Sequence, residues 1–231
     1  MTSLSLRPLA LRVARRIPYA PKALAWFRAY HPSASTITRD NTLEAYDRVY
    51  DSDRFLEEYL SPERLEFFDE LATIFAPLAP RRVLDVGCGT GHLLRFLVDR
   101  MESRPERIVG VDHSEAGIRR ARALLPEGTW LVDDLFSLRL DEDRFDLVLC
   151  TEVLEHLHEP GRAVDVLRRL CAPGGRVAIT VPDGAQDSWE GHVNFWGEDD
   201  LRAFLAPHGL VAIDRIENGA VLLAWLAPRD G

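Results

Sequence analysis

The chain is poor in sulfur. Its 231 residues include two methionines and three cysteines, Cys88, Cys150 and Cys171, with no C-x-x-C pair among them. That excludes a disulfide scaffold and a cysteine-based zinc site, and it suits a reducing cytoplasm. Long apolar runs are also missing. The longest, Ala220 to Ala227, is eight residues; a spanning helix needs roughly 20, so this run reads as a strand. The body of the chain lacks basic charge. Arg7, Arg12, Arg15, Arg16, Lys22 and Arg28 give residues 1–30 a charge of +6 with no acid, so the formal net charge of −9 leaves −15 on residues 31–231. Such an acidic body speaks against nucleic acid as a partner, because phosphate affinity comes from clustered Lys and Arg. No internal repeat or low-complexity segment is present.

What the chain does have is a 46% hydrophobic content, enough for one well-cored α/β domain and an appendage. Residues 1–41 read as a basic leader interrupted by Pro8, Pro18 and Pro21, without the continuous apolar core of a secretory signal. Two readings of it stay open: a partly disordered or body-packed leader, or a contact with a membrane surface or an acidic partner through residues 1–30. Residues 42–80 read as a helical cap region, with apolar residues at three- and four-residue steps and a helix start at Ser61-Pro62. From residue 81 onward strands and helices alternate. Strands are expected at Arg82–Val86, Ile108–Asp112, Thr129–Val132, Asp146–Cys150 and Gly175–Val181, which implies a parallel sheet covered on both faces. Leu210–Ile216 and Ala220–Leu226 flank Asn218-Gly219, a strong signal for a closing antiparallel hairpin.

The most informative stretch is Val83-Leu84-Asp85-Val86-Gly87-Cys88-Gly89-Thr90-Gly91. An apolar strand runs into a turn with glycines at alternate positions, and a helix begins at about His92. Such a turn lets the backbone pass close to a ligand. Asp85 lies where a diphosphate would be met by bare N–H groups, so the loop favours a ligand carrying positive charge and hydroxyls. The second strand ends at Asp112, 21 residues beyond Gly91, where a carboxylate can accept both hydroxyls of a ribose. The third ends Asp133-Asp134-Leu135.

In this order and spacing the motifs, over about residues 81–181, resemble those of class I S-adenosylmethionine (SAM) dependent methyltransferases. The resemblance implies a seven-stranded Rossmann-like sheet of five βα units and a hairpin. It implies SAM as cofactor, its methionine part on the Asp85–Gly91 loop with Asp85 near the ammonium group. Asp134 would accept from the adenine amino group with the Leu135 N–H nearby, and His113 would pack on the base. Cys88, Asp133 and Cys150 complete the expected cofactor surroundings.

After the fourth strand comes Cys150-Thr151-Glu152-Val153-Leu154-Glu155-His156-Leu157. Continued as a helix, it would place Glu152, Glu155 and His156 on one face, beside the methyl donor. His192, in the connection after the fifth strand, is expected to join them. This set resembles those of the small-RNA 3′-end 2′-O-methyltransferases and of the ubiquinone-biosynthesis O-methyltransferases. The former implies a magnesium ion on Glu152, Glu155, His156 and His192. Three arrangements stay open: a divalent metal site, a metal-free polar pocket with histidine as base, and carboxylates that only cap neighbouring backbone. Trp189, Phe195, Trp196, Tyr46 and Tyr50 either wall an acceptor or pack as core. The expected activity is methylation of a small-molecule acceptor at a hydroxyl. N- or C-methylation of a sugar or secondary metabolite, and a non-catalytic SAM-binding subunit, are the alternatives. A dinucleotide-dependent oxidoreductase fits less well, since it would want G-x-G-x-x-G and leaves Asp85 without a role.

Overall fold

The computed structural model describes residues 42–140, 144–187, 189 and 191–229. The basic leader expected over residues 1–41 lies outside them.

Seven strands form one sheet in the order β3-β2-β1-β4-β5-β7-β6. They are β1 (Arg82–Val86), β2 (Arg107–Asp112), β3 (Thr129–Val132), β4 (Phe145–Thr151), β5 (Cys171–Pro182), β6 (Leu210–Ile216) and β7 (Val221–Leu226). The first five are parallel, and β7 runs antiparallel between β5 and β6. From β1 the chain moves outward through β2 and β3, then returns to β4 on the other side of β1. The crossovers therefore diverge at the carboxyl ends of β1 and β4, leaving a crevice there.

Helices α4 (His92–Arg100), α5 (Glu115–Leu124), α6 (Pro160–Leu170) and α7 (Glu198–Leu205) join the strands. One core layer packs Leu94 and Leu97 of α4 with Phe67, Leu71 and Phe75 against the sheet; the other packs Val164, Leu167 and Leu170 of α6 with Leu201 and Leu205 of α7. Burial on both faces is why β1, β4 and β5 read as nearly unbroken apolar runs.

The cap region forms α1 (Leu43–Asp51), α2 (Asp53–Tyr59) and α3 (Pro62–Phe75). Ser61 caps α3, its hydroxyl accepting from Arg64 N–H at 3.3 Å, with Pro62 in the first turn. Helix α1 is pinned along the carboxyl edge of the sheet. Asp47 Oδ1 accepts from Ser114 Oγ at 2.5 Å and from Ala116 N–H at 3.1 Å, at the start of α5. Arg120 of α5 also donates to the Tyr50 and Asp51 carbonyls.

Apart from one-residue differences at strand ends, two places differ from the sequence reading. The β6–β7 connection is a short 3₁₀ turn over Glu217–Gly219 rather than a two-residue Asn-Gly turn, with Glu217, Asn218 and Gly219 all at positive φ. Strand β5 begins at Cys171, before the expected Gly175; it absorbs the Ala172-Pro173-Gly174-Gly175 turn through a shift of register against Phe145 and Leu147 of β4. Asp146, beside that shift, accepts from the Arg81 and Arg82 N–H groups at 2.9 Å each and so fixes the start of β1. Among the described residues no helix is long and apolar enough to cross a membrane.

Candidate functional site

At the end of β1 the backbone enters the left-handed region at Gly87, Gly89 and Gly91. A Cβ at Gly87 would overlap Val153 Cγ2, so the loop and the segment after β4 meet in a way only glycine permits. Gly87 and Cys88 donate to the Val111 carbonyl at 2.8 and 3.1 Å. Gly89 N–H donates to Asp112 Oδ2 at 2.7 Å, and Ser114 N–H to Asp112 Oδ1 at 2.8 Å. The second-strand carboxylate thus holds the loop, both of its oxygens accepting from backbone N–H groups.

Asp85 is 1% exposed, and its Oδ1 is buried with no hydrogen-bond partner. Burial first, and then the charge of Asp112, push its carboxyl up to about 8. A buried acceptor left in this state is costly, and a ligand ammonium group would satisfy it. This is the observation by which SAM fits the site. Asp112 is raised by burial as well, its backbone hydrogen bonds acting in the opposite direction.

A cavity of about 130 Å³ opens beside this loop, lined by Asp85, Gly87, Cys88 and Thr90, by Tyr46, Tyr50, Tyr59 and Arg64 of the cap region, and by Glu152, Glu155, His156, Trp189 and His192. The other expected cofactor residues are not among its lining. Gly89 and Gly91 shape the loop, and Gly91 stands at the start of α4. His113 is exposed, its ring centroid 5.2 Å from that of Tyr46. Asp133 Oδ1 accepts from Asp134 N–H and Ser137 Oγ, which makes it a turn-building residue. Asp134 is exposed at the sheet edge with Oδ1 accepting from Phe136 N–H at 2.6 Å, and Leu135 packs inward. Cys150 is corrected. Its thiol is fully buried in the α6-side core and is not part of the cavity wall, because alternation along β4 turns it into that layer.

The acceptor side also departs from expectation. The segment after β4 is not an α-helix: Glu152 has φ +57° and only a 3₁₀ turn follows, over Leu154–His156. Glu152 is therefore drawn aside, its N–H donating to the Thr180 carbonyl and its Oε1 accepting from Thr180 Oγ1 at 2.9 Å. The four-ligand set is corrected to three, since Glu155, His156 and His192 have ligand atoms all within 4.8 Å of one another and Glu152 is not among them. His192 arrives because Val193 and Asn194 N–H donate to the Glu155 carbonyl at 2.8 and 3.1 Å, while the Asn194 amide donates to the Leu154 and Leu157 carbonyls.

Glu155 is 2% exposed, and both its carboxylate oxygens are buried with no hydrogen-bond partner. Oε1 lies 3.9 Å from His156 Nε2 and 4.0 Å from His192 Nε2. Burial, and next the charge of Glu152, raise its carboxyl well above the usual range. One orphaned carboxylate and two imidazoles at this spacing fit a borderline divalent ion; they equally fit an acceptor hydroxyl seated among them. Trp189 and Tyr46 meet the His156 ring edge to face, with centroids 5.6 and 6.3 Å away. Phe195 is instead 45% exposed, and Trp196 stacks on Phe204 of α7.

Arg64 was not anticipated. It is 8% exposed, its guanidinium carbon 4.3 Å from the Tyr59 ring centroid, and it lines the cavity. The signal was there: Arg64 interrupts the apolar stripe of Phe67, Phe68, Leu71 and Phe75 on α3.

A family model described as a methyltransferase domain matches residues 52–214. Ubiquinone biosynthesis O-methyltransferase of Alkalilimnicola ehrlichii is 38% identical over 126 residues, 52% of this chain and 48% of that protein. The protein of the same name from Thiobacillus denitrificans is 38% identical over 125 residues, covering 51% and 50%. The chain thus spans about half the length of the curated relatives it matches. Among solved structures, the N-methyltransferase NodS of Bradyrhizobium japonicum WM9, in complex with S-adenosyl-L-homocysteine (SAH), superposes with a TM-score of 0.65 at 22% identity, over 83% of this chain and 100% of that one. At that identity the likeness shows the fold alone.

Proposed function

Given that this chain belongs to the SAM-dependent methyltransferase family, we propose that it transfers the SAM methyl group to a hydroxyl of a small-molecule acceptor held against Glu155, His156 and His192. The observation that carries this reading is Glu155: a buried, unsatisfied carboxylate between two imidazoles, in the same cavity as the Asp85–Gly87 loop. In this reading Asp85 meets the ammonium of the methionine part and Arg64 its carboxylate. Asp112 accepts from the ribose hydroxyls. His113, Asp133, Asp134 and Leu135 border the adenine.

Methyl transfer from a sulfonium is an in-line displacement, so the protein contributes alignment and exclusion of water. The acceptor oxygen bonds to the methyl carbon, the carbon–sulfur bond breaks, and SAH leaves with the electron pair on sulfur. The hydroxyl proton must also go. In this reading His156 takes it on Nε2, a role supported by its side chain being 17% exposed beside the cavity whereas that of His192 is 2% exposed. The mutual approach of the three ligand atoms favours a second reading, in which Glu155, His156 and His192 hold a divalent ion and His156 is a ligand. Such an ion, when bound, acidifies a coordinated hydroxyl.

The three cysteines are free and buried, which agrees with a reducing cytoplasm. A membrane or acidic-partner contact through residues 1–30 belongs to the same proposal, tested by liposome co-sedimentation with and without them. The activity itself is tested with methyl-labelled SAM and a panel of phenols, sugars and amines. An O-methyl product whose formation is lost in Glu155→Gln, with SAH binding retained, is expected. Label appearing only on nitrogen or carbon would overturn the assignment to oxygen.

A further inference from the structure

His192 does not reach the cluster unaided. Its Nδ1 is hydrogen-bonded to Asp187 Oδ2, and the two side chains are 2% and 4% exposed. The Asp187 carboxylate is itself held: Oδ1 accepts from Trp189 N–H at 3.0 Å, and Asp187 N–H donates to the Asp183 carbonyl at 3.0 Å. With Asp187 ionised the shared hydrogen would belong to Nδ1, because a carboxylate only accepts. A neutral imidazole with its hydrogen on Nδ1 presents a lone pair at Nε2, and here Nε2 faces Glu155 Oε1 at 4.0 Å. Rotation of the ring is hindered by Trp189 and His156, whose centroids lie 4.7 and 4.8 Å from it. His192 N–H also donates to the Trp189 carbonyl at 3.1 Å.

We propose that Asp187 is a positioning residue: it fixes His192 as the Nδ1–H tautomer, so that Nε2 serves the Glu155–His156 cluster as an electron-pair donor rather than as a hydrogen donor. The inference rests on the reading that this cluster faces the methyl acceptor. A divalent ion would take that lone pair directly; in the metal-free reading it makes His192 Nε2 a second acceptor, beside His156, for the hydroxyl hydrogen. Carboxylates that hold an imidazole in this way commonly matter by about 10–100-fold in activity or metal affinity when removed. With no carboxylate at 187, both nitrogens can exchange the hydrogen, and the tautomer with hydrogen on Nε2 turns a donor toward Glu155.

The test reads tautomer and turnover separately in the full chain bound to SAH. Long-range proton–nitrogen spectra, with the His192 signals identified by their loss in His192→Gln, are expected to show hydrogen on Nδ1 and a bare Nε2. In Asp187→Asn, whose amide can donate to Nδ1, the hydrogen is expected to move to Nε2. Turnover should fall about 10–100-fold, with the SAM KM within threefold. Asp187→Glu keeps a carboxylate and is expected to retain the Nδ1–H tautomer, so the proposal stays exposed if Asp187→Asn does not fold. A wild-type His192 with hydrogen on Nε2, or an unchanged tautomer with full turnover in Asp187→Asn, overturns it. Full turnover in His192→Gln, with the tautomer shift still present in Asp187→Asn, instead sinks the reading of the cluster as the acceptor site.

Discussion

Gly89 and Asp112 are joined by a hydrogen bond of 2.7 Å from the glycine N–H to Oδ2. The bond ties the first loop to the end of the second strand. Asp112→Ala removes the acceptor of two buried N–H groups and the proposed acceptor for the ribose. Hydrogen bonds to a charged group contribute about 1.5–3 kcal/mol each, so calorimetry should find SAH binding weakened by about 100-fold or more. Affinity within threefold of the wild type would remove Asp112 from the site.

The contact between Gly87 and Val153 predicts a stability effect. Gly87→Ala places a Cβ against Val153 Cγ2 at φ +78°, which should cost about 1–3 kcal/mol and lower the Tm. Adding Val153→Ala relieves the overlap while leaving the backbone strain, so the double variant should recover part of the loss. No recovery would mean that strain alone sets the cost.

His156→Ala is expected to reduce turnover by about 10²–10⁴-fold, the range for a lost general base. SAH affinity should stay within a few-fold, since the Asp85–Gly91 loop is untouched. Wild-type turnover would exclude His156 as base and as ligand.

Chelation separates the two readings of the acceptor cluster. If Glu155, His156 and His192 hold an ion, dialysis against a chelator should abolish turnover, and adding back a divalent metal should restore it. Turnover indifferent to the chelator leaves His156 as the base.

The pH dependence follows from Asp85. Its carboxyl sits at about 8 in the ligand-free fold, against about 3.9 in an unfolded chain. Between those values the folded state binds the extra proton, so this group's contribution to stability is present at low pH and is lost as pH rises toward 8. Asp85→Asn removes that titration, and its Tm relative to the wild type should climb across the same interval. Bringing an ammonium group to Asp85 reverses the preference and favours the carboxylate. Binding of SAH at pH 6–7 should therefore release up to about one proton, measurable by calorimetry in buffers of different ionisation enthalpy, and Asp85→Asn should abolish the release.

Much of this protein could be read along the chain because the relevant physics is local. The strands β1 and β3 fall at their expected limits, β1 as an apolar run that ends in a glycine turn, and Ser61-Pro62 marked the start of α3 through its own cap. The Asp85–Gly91 loop is likewise one contiguous piece, whose glycines are set by left-handed backbone. The acceptor cluster was not local. A helical spacing grouped Glu152 with Glu155 and His156, but the φ of Glu152 and its hydrogen bonds to Thr180 on the neighbouring strand turned it aside. His192, named with them from the sequence, is brought beside Glu155 by backbone hydrogen bonds from a segment 38 residues further on. Asp187 and Arg64 have partners close in the chain, Trp189 and His192 for the one and Tyr59 for the other, but what brings those groups to the cavity of Glu155 is not local. Sequence by itself determined most of the elements and the glycine-spaced Asp85–Gly91 loop, because each depends on neighbours a few residues apart. Which acids and imidazoles share one buried volume was decided only by the tertiary structure, where strand pairing and loop closure fix distances that no spacing encodes.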